Sequence, residues 1–386
     1  MPRPTAYLVI LLAVSCTSDA GPPSDALPEW VISDEPLLVI GETGRAGHEL
    51  FRVKSAARLS DGRIAIANVG TSEIRFFDRD GQHLGTAGRE GQGPQEFRRI
   101  ETVALAASDT LLVYTWDSSV AVVSPSMEIV RKEPINMQPM IVPCRLAEGG
   151  VHLASDGAFI IQADDNRGTV GCGPMSSGKD QVTTLLTRFH PDEGRLDTLG
   201  IFPGTDRDGR RYGAFGRMLE VAISDHRIFA GETGGDTISV FDLDGTPRGI
   251  WRVPLPATPL TEAARSYDPP PRRMGDGSVV PEDPYTMPEN YPRFGRLLAD
   301  RSQNLWIMAY PPVDDMIRSW RMSNVYYHYV PDGGAEWLVV GSNGDPLARA
   351  TTPAGLFPLE IGDDYVLGLA KDSLDVETVR LHRLTR

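Results

Sequence analysis

The chain has 386 residues, with 38 Lys+Arg against 52 Asp+Glu and a formal net charge of −14. Its 41% apolar content is enough for a sizeable core and excludes disorder throughout, while 39 Gly and 31 Pro exclude a helical bundle. The acidic balance argues against a general nucleic-acid binder, which needs a basic footprint.

Residues 1–16 read MPRPTAYLVILLAVSC. Arg3 is the single charge ahead of the apolar run Ala6–Val14. That run is too short to span a bilayer but suits the hydrophobic part of a secretory signal. Leu12-Ala13-Val14-Ser15-Cys16 resembles the bacterial lipobox, although Ala13 stands where Leu is more usual. The resemblance implies cleavage before Cys16 and acylation of that Cys, each buried CH₂ contributing about 0.8 kcal/mol to anchorage. The Asp that implies inner-membrane retention is absent at Thr17, so the expected place is the periplasmic face of the outer membrane or the cell surface. The alternative is an ordinary cleaved signal. Thr17–Pro28 is small, polar and Pro-rich, which suits a tether. The expected organisation is a signal peptide over 1–15, a lipidated Cys and flexible tether over 16–35, and one domain over 36–386, acting as a monomer.

The strongest signal is internal repetition. Leu59–Phe97 holds a turn at Ser60-Asp61-Gly62, β-rich runs at Ile64–Ala67 and Ile74–Phe77, a turn at Asp78–Gly81, and a short strand at Gln82–Ala87. The pattern returns at Ala222–Val253, where Ser224-Asp225, Ile238–Phe241 and Asp242–Gly245 take the same places. Weaker copies occupy Ala107–Glu133, Leu153–Pro203, Leu298–Thr352 and Glu360–Leu384. Each copy reads as four short antiparallel strands. One such sheet cannot bury both faces, whereas sheets packed radially can, so the copies predict an all-β, six-bladed propeller. The last copy offers strands at Leu356–Ile361, Tyr365–Leu369 and Thr378–Leu384 and no fourth, while Pro36–Ile40 is a strand without a copy. Pairing Pro36–Ile40 with Thr378–Leu384 is therefore the predicted closure, and it hides strand edges. Gly88-Arg89-Glu90-Gly91-Gln92-Gly93-Pro94-Gln95-Glu96-Phe97 is close to a G-x-x-G-x-G-P-G-E-F junction, with Gln95 in place of Gly. On it the chain resembles bacterial six-bladed propeller lipoproteins related to NHL-repeat proteins. That resemblance implies fold and export, not an activity.

In such a ring the connections from the second to the third strand, and from one copy to the next, share one end. Four long insertions fall there, at Ala163–Gln181, Pro203–Ala214, Pro254–Pro292 and Pro311–Ala335, and long loops are commonly functional. Short helices are expected at Leu260–Tyr267 and Asp314–Arg321, the latter with acids first and Arg last. The candidate binding residues are Arg210, Arg211, Tyr212, Arg318, Trp320, Arg321, Tyr327 and His328, with Tyr291 nearby. Arg forks suit carboxylates and phosphates, and Arg and aromatics anchor interfaces. The competing reading is that these side chains cover the insertions' own small cores. The opposite end is expected to offer only tight Asp-Gly turns, too short to form a pocket. Cys144 and Cys172 are expected to form a disulfide in an oxidising compartment; two separate thiols are the alternative.

Catalytic motifs are weak. Gly173–Lys179 resembles a phosphate loop, but Asp180 replaces the hydroxyl that would hold Mg²⁺. No G-x-S-x-G or H-E-x-x-H motif occurs. Of the histidines, only His48 and His328 are expected at the insertion end, with His152 and His226 near the opposite turns. Propeller lactonases bind Ca²⁺ near the axis with carboxylates and amides, and Glu49, Glu96, Asn68 and Glu232 are the candidates for such a site. The expected function is therefore non-enzymatic, without a cofactor: binding of an envelope protein, peptide or glycan. The alternative is a Ca²⁺-dependent hydrolase or lyase of the lactonase kind.

Overall fold

The computed structural model describes residues 27–41, 44–45, 47–136, 150–164, 179–208, 211–212, 215–266, 272–273, 278–280, 287–312 and 333–386. Strands β1 (Glu29–Ile32) and β2 (Leu38–Ile40) come first. Four antiparallel sheets then follow in chain order. They are β3 (Val53–Arg58), β4 (Ile64–Asn68), β5 (Glu73–Phe77) and β6 (His83–Ala87); β7 (Ile100–Ala106), β8 (Thr110–Thr115), β9 (Ser119–Val123) and β10 (Ile129–Pro134); β11 (Val151–Leu153), β12 (Phe159–Asp164), β13 (Lys179–His190) and β14 (Arg195–Asp208), extended by β15 (Arg211–Tyr212); and β16 (Leu219–Ile223), β17 (Arg227–Glu232), β18 (Thr237–Asp242) and β19 (Pro247–Arg252). Helix α1 (Glu262–Arg265) and the hairpin of β20 (Arg272–Arg273) and β21 (Val279–Val280) come next. A nine-stranded sheet collects β22 (Phe294–Ala299), β23 (Leu305–Ala309), β24 (Glu336–Val340), β25 (Pro346–Thr351), β26 (Leu356–Ile361), β27 (Tyr365–Lys371) and β28 (Glu377–Thr385) with β1 and β2.

Apolar side chains are packed between neighbouring sheets. Adjacent residues on a strand face opposite sides, so Phe76 joins the cluster between the first and second sheets, with Phe97 and Val113, while Phe77 joins Ile40, Leu367 and Val379 on the other side. Tyr114 and Phe159 join the second sheet to the third, and Ile160 and Ile228 the third to the fourth. Phe229 and Ile307 link the fourth to β22–β25, and Trp306, Trp337 and Val366 link β22–β25 to β26–β28. The ring of sheets closes on itself as an all-β propeller. Each fully buried Phe contributes roughly 1.5–3 kcal/mol.

Closure follows the missing fourth strand. β2 runs antiparallel to β28, with Leu38 opposite Leu381 and Ile40 opposite Val379. The junction motif also has a local reason. Gly88 has φ +78, and a Cβ there would lie 2.2 Å from the buried Phe97 ring. Glu96 Oε2 accepts from the Gly93 N–H at 2.9 Å, holding the loop.

Three expectations need correction. The tether does not run to residue 35, because Glu29 and Trp30 pair with β25 and Val31 and Ile32 with β28. Trp30 packs 5.8 Å from Trp306, beneath the Arg386 guanidinium, and this apolar Trp-Val-Ile run outweighs its polar flanks. Residues 179–181 and 203–208 are not loop: Lys179 pairs with Asp208 at the open end of a long β13–β14 hairpin. Cross-strand pairing there overrides the turn-forming residues of 204–208. The helix expected at Leu260–Tyr267 is the shorter α1, whose Thr261 Oγ1 accepts from the Ala264 N–H at 3.1 Å. Residues 1–15, Cys16, Cys144, Cys172 and the helix expected at 314–321 lie outside the described residues.

Candidate functional site

The first strand of each repeat unit, namely β3, β7, β11, β16, β22 and β26, runs toward the short turn that leads to the next. A cavity of about 930 Å³ is lined from all six, by residues such as Ala57, Leu105, Ser155, Ile223, Ala299 and Leu359. These strands therefore surround an axial channel, and the cavity is its turn end. The expectation that this end lacks a pocket is overturned. The space belongs to the channel, not to the turns: Ala56, Ala57, Ala104 and Ala106 are too small to fill the axis. Charges at this mouth are internally paired. Asp300 is buried and accepts from Asn304, Trp306 Nε1 (3.1 Å) and Arg386 (2.9 Å). Glu360 accepts from Arg301 and from the Arg58 N–H at 2.7 Å, and Asp156 pairs with Arg188.

Farther along the axis, toward the end that carries the insertions, the channel changes character. Glu220, Arg296 and Phe357 stand at one rung of their sheets, opposite Gly231, Met308 and Leu369. Lys54 and Glu101 are the extra residues of register shifts between Val53 and Ser55 and between Ile100 and Thr102. Such bulges re-aim a side chain. The His152 imidazole leans back along β11, so that a Cβ on Gly150 would lie 3.2 Å from its Nε2. Gln162 Nε2 approaches that nitrogen at 3.4 Å.

The electrostatics tie these groups together. Burial, followed by the Lys54 charge, lowers His152 to about 4. The strands that carry them, β3 and β11, belong to sheets that are not neighbours. Burial raises Glu220 to about 8, against the Arg296 charge and the Leu297 N–H. Burial lowers Arg296 to about 10, with Glu220 opposing. Burial also lowers Lys54; Glu101 opposes that shift and Arg99 adds to it. At neutral pH the set thus includes a neutral imidazole and a protonated carboxyl. The Arg296 guanidinium lies 3.8 Å over the Phe357 ring, and its Nη1 is buried with no hydrogen-bond partner among the described residues. Glu101 bonds Arg99, which in turn stacks 4.0 Å over the exposed Trp116.

The expected site residues fare differently. Arg211 and Tyr212 lie on β15, paired with Asp208 and Arg207. Arg210, Arg318, Trp320, Arg321, Tyr327 and His328 lie outside the described residues. Tyr291 is buried against Phe215 and Tyr310, in a small core with Leu260 and Ala264, so for it the competing reading holds. His48 does not reach the channel: it is buried edge-on to Phe77 at 5.4 Å. His152 lies on β11 just before the Ala154–Gly157 turn, as expected, with its imidazole leaning back toward Gly150. The proposed calcium set is not assembled. Asn68 accepts from the Phe51 N–H, Glu96 bonds Arg89, and Glu232 accepts from the Gly234 N–H. Among the described residues no group of three or more His, Cys, Asp or Glu side chains is placed to hold a metal ion. Lys54, Glu101, Glu220 and Arg296 escaped the sequence reading. Their signal was a charge set into an otherwise apolar first strand, as in Ile100-Glu101 and Leu219-Glu220.

No protein-family model matches the chain, and no curated protein matches it at a significant level. Among solved structures, a member of the DUF4221 family from Bacteroides vulgatus is similar with a TM-score of 0.51 at 12% identity, covering 92% of this chain and 97% of that one. A gluconolactonase from Xanthomonas campestris gives 0.41 at 12% identity, covering 93% and 98%. A calcium-binding regucalcin from Agrobacterium tumefaciens gives 0.40 at 11%, covering 93% and 96%. At these identities the likeness extends to the propeller fold alone.

Proposed function

We propose that the chain is exported, is held at the envelope by a lipid on Cys16, and folds as a six-bladed propeller that binds a partner protein, peptide or glycan at the insertion end of its axis. The blade count is supported by the way β1 divides the nine-stranded sheet into β22–β25 and β26–β28 with β2. Each group matches the other sheets in size. The observation that carries the binding reading is two sets of buried ionisable groups on first strands, Glu220 with Arg296 and Lys54 with Glu101 and His152. Taking ionisable groups out of water is costly, and clusters of shifted groups in a cleft mark recognition or chemistry. The insertions at 165–178 and 313–332 leave from the same end. In this reading the ring is the floor of the site, and Arg318, Trp320, Arg321, Tyr327 and His328, with Arg210–Tyr212, supply the contacts above it. A Cys144–Cys172 disulfide would brace the adjoining segments.

The test immobilises the mature chain and offers it defined envelope components: peptidoglycan fragments, envelope glycans and peptides. Lys54→Ala and Arg318→Ala/Arg321→Ala should each lower retention of the bound component. Equal retention by wild type and both variants removes the binding reading. Mass spectrometry of the mature N-terminus should find acylated Cys16, and an unmodified terminus elsewhere removes the anchor.

A further inference from the structure

We infer that Arg296 forms a seat for an oxyanion, a carboxylate or phosphate group of the ligand, and that the seat fills only while Glu220 holds its proton. This inference rests on the axial binding site proposed above. Arg296 carries it. Its plane is fixed over the Phe357 ring, and Nη1 is buried with no acceptor among the described residues. A guanidinium in that state presents a fork that a planar oxyanion satisfies with two parallel hydrogen bonds. The Glu220 carboxyl beside it does not neutralise it, because burial raises Glu220 to about 8 in spite of the Arg296 charge and the Leu297 N–H, which both favour the carboxylate.

The other groups around the seat agree. Glu101 on β7 is engaged by Arg99, and burial lowers His152 on β11 to about 4. Glu232, Asp206 and Arg217, on β17, β14 and the segment before β16, bond among themselves.

Ionisation of Glu220 places a negative charge beside Arg296 and competes with the ligand. With Glu220 at about 8, affinity should fall about tenfold between pH 7 and pH 9. Titration calorimetry on the mature chain uses two probes, D-glucuronate and inorganic phosphate, from pH 6 to 9. Binding of either at pH 6, lost on raising the pH, is the expected result, and the probe that binds names the source. Glu220→Gln mimics the protonated carboxyl and should flatten the pH dependence. Arg296→Met, shown folded by circular dichroism, should abolish binding. The inference is overturned if neither probe binds wild type at pH 6, or if wild type and Glu220→Gln lose affinity in parallel. Should both probes fail while envelope components are still retained through Lys54, the oxyanion seat is wrong and the axial binding reading stands.

Discussion

The two ends of the axial channel are made by the same six strands and differ in what those strands do with charge. At the turn end, every carboxylate named above has a cationic partner: Asp300 with Arg386, Glu360 with Arg301, Asp156 with Arg188. At the insertion end the ionisable groups come from five sheets and are left with shifted protonation states and one orphaned guanidinium nitrogen. Local pairing of charge holds a structure together. A buried guanidinium nitrogen left without an acceptor is the arrangement of a site that takes a ligand.

The largest effect should come from breaking a pair at the turn end. Asp300→Ala would leave Arg386 without its carboxylate and the buried Trp306 Nε1 and Asn304 side chain without their acceptor. Removing one partner of a buried pair costs about 3–5 kcal/mol, and denaturant titration reads it directly. Oxyanion binding at the far end should be unchanged in the molecules that remain folded. A loss under 1 kcal/mol would mean that the turn-end pairs are surface ornaments. Next in size is the closing strand. Deletion through residue 40 exposes β28 and β25 and should cost several kcal/mol; an unchanged melting temperature refutes the closure.

The fold was legible because period-2 patterning and Asp-Gly turns act locally. Ser60-Asp61-Gly62 and Ser224-Asp225 mark turns wherever they stand, and the missing last strand forced Pro36–Ile40 onto the final sheet. The ring was not legible, because its members lie far apart in sequence and their meeting depends on two bulges and on the lean of one imidazole. Lys54 looks like any exposed strand lysine until the register shift between Val53 and Ser55 turns it inward. Small residues misled in the other direction. The alanines of β3 and β7 gave no motif, yet they are what opens the turn-end cavity.

A third prediction concerns pH. The Glu220 carboxyl is raised from 4.5 to about 8 in the folded chain. Its contribution to stability is therefore complete below the unfolded value and is lost as pH rises through the folded one. Glu220→Gln should raise the melting temperature relative to wild type at pH 8, by roughly 2 °C or more, and the gain should vanish near pH 4. His152, lowered from 6.5 to about 4, has the opposite sign: its contribution is complete above 6.5 and fades as pH falls through 4. A Glu220→Gln gain that is the same at pH 5 and pH 8 would mean that this carboxyl is solvated and that the insertion end has no buried charge to release.

The smallest expected effect is also the cleanest test of which end serves a ligand. Ala57 lines the turn-end cavity and is only partly buried. Ala57→Leu adds three carbons to open space, where no packed neighbour has to move. The strain of one to three kcal/mol typical of overfilling a dense core does not apply, and stability should change by no more than about 0.5 kcal/mol. Calorimetric binding of the oxyanion probes should match wild type, because Ala57 and Arg296 stand at opposite ends of their strands. If Ala57→Leu keeps its melting temperature and loses binding, then the ligand reaches down to the turn end. The small residues would then be the recognition surface, and the ring above them only its entrance.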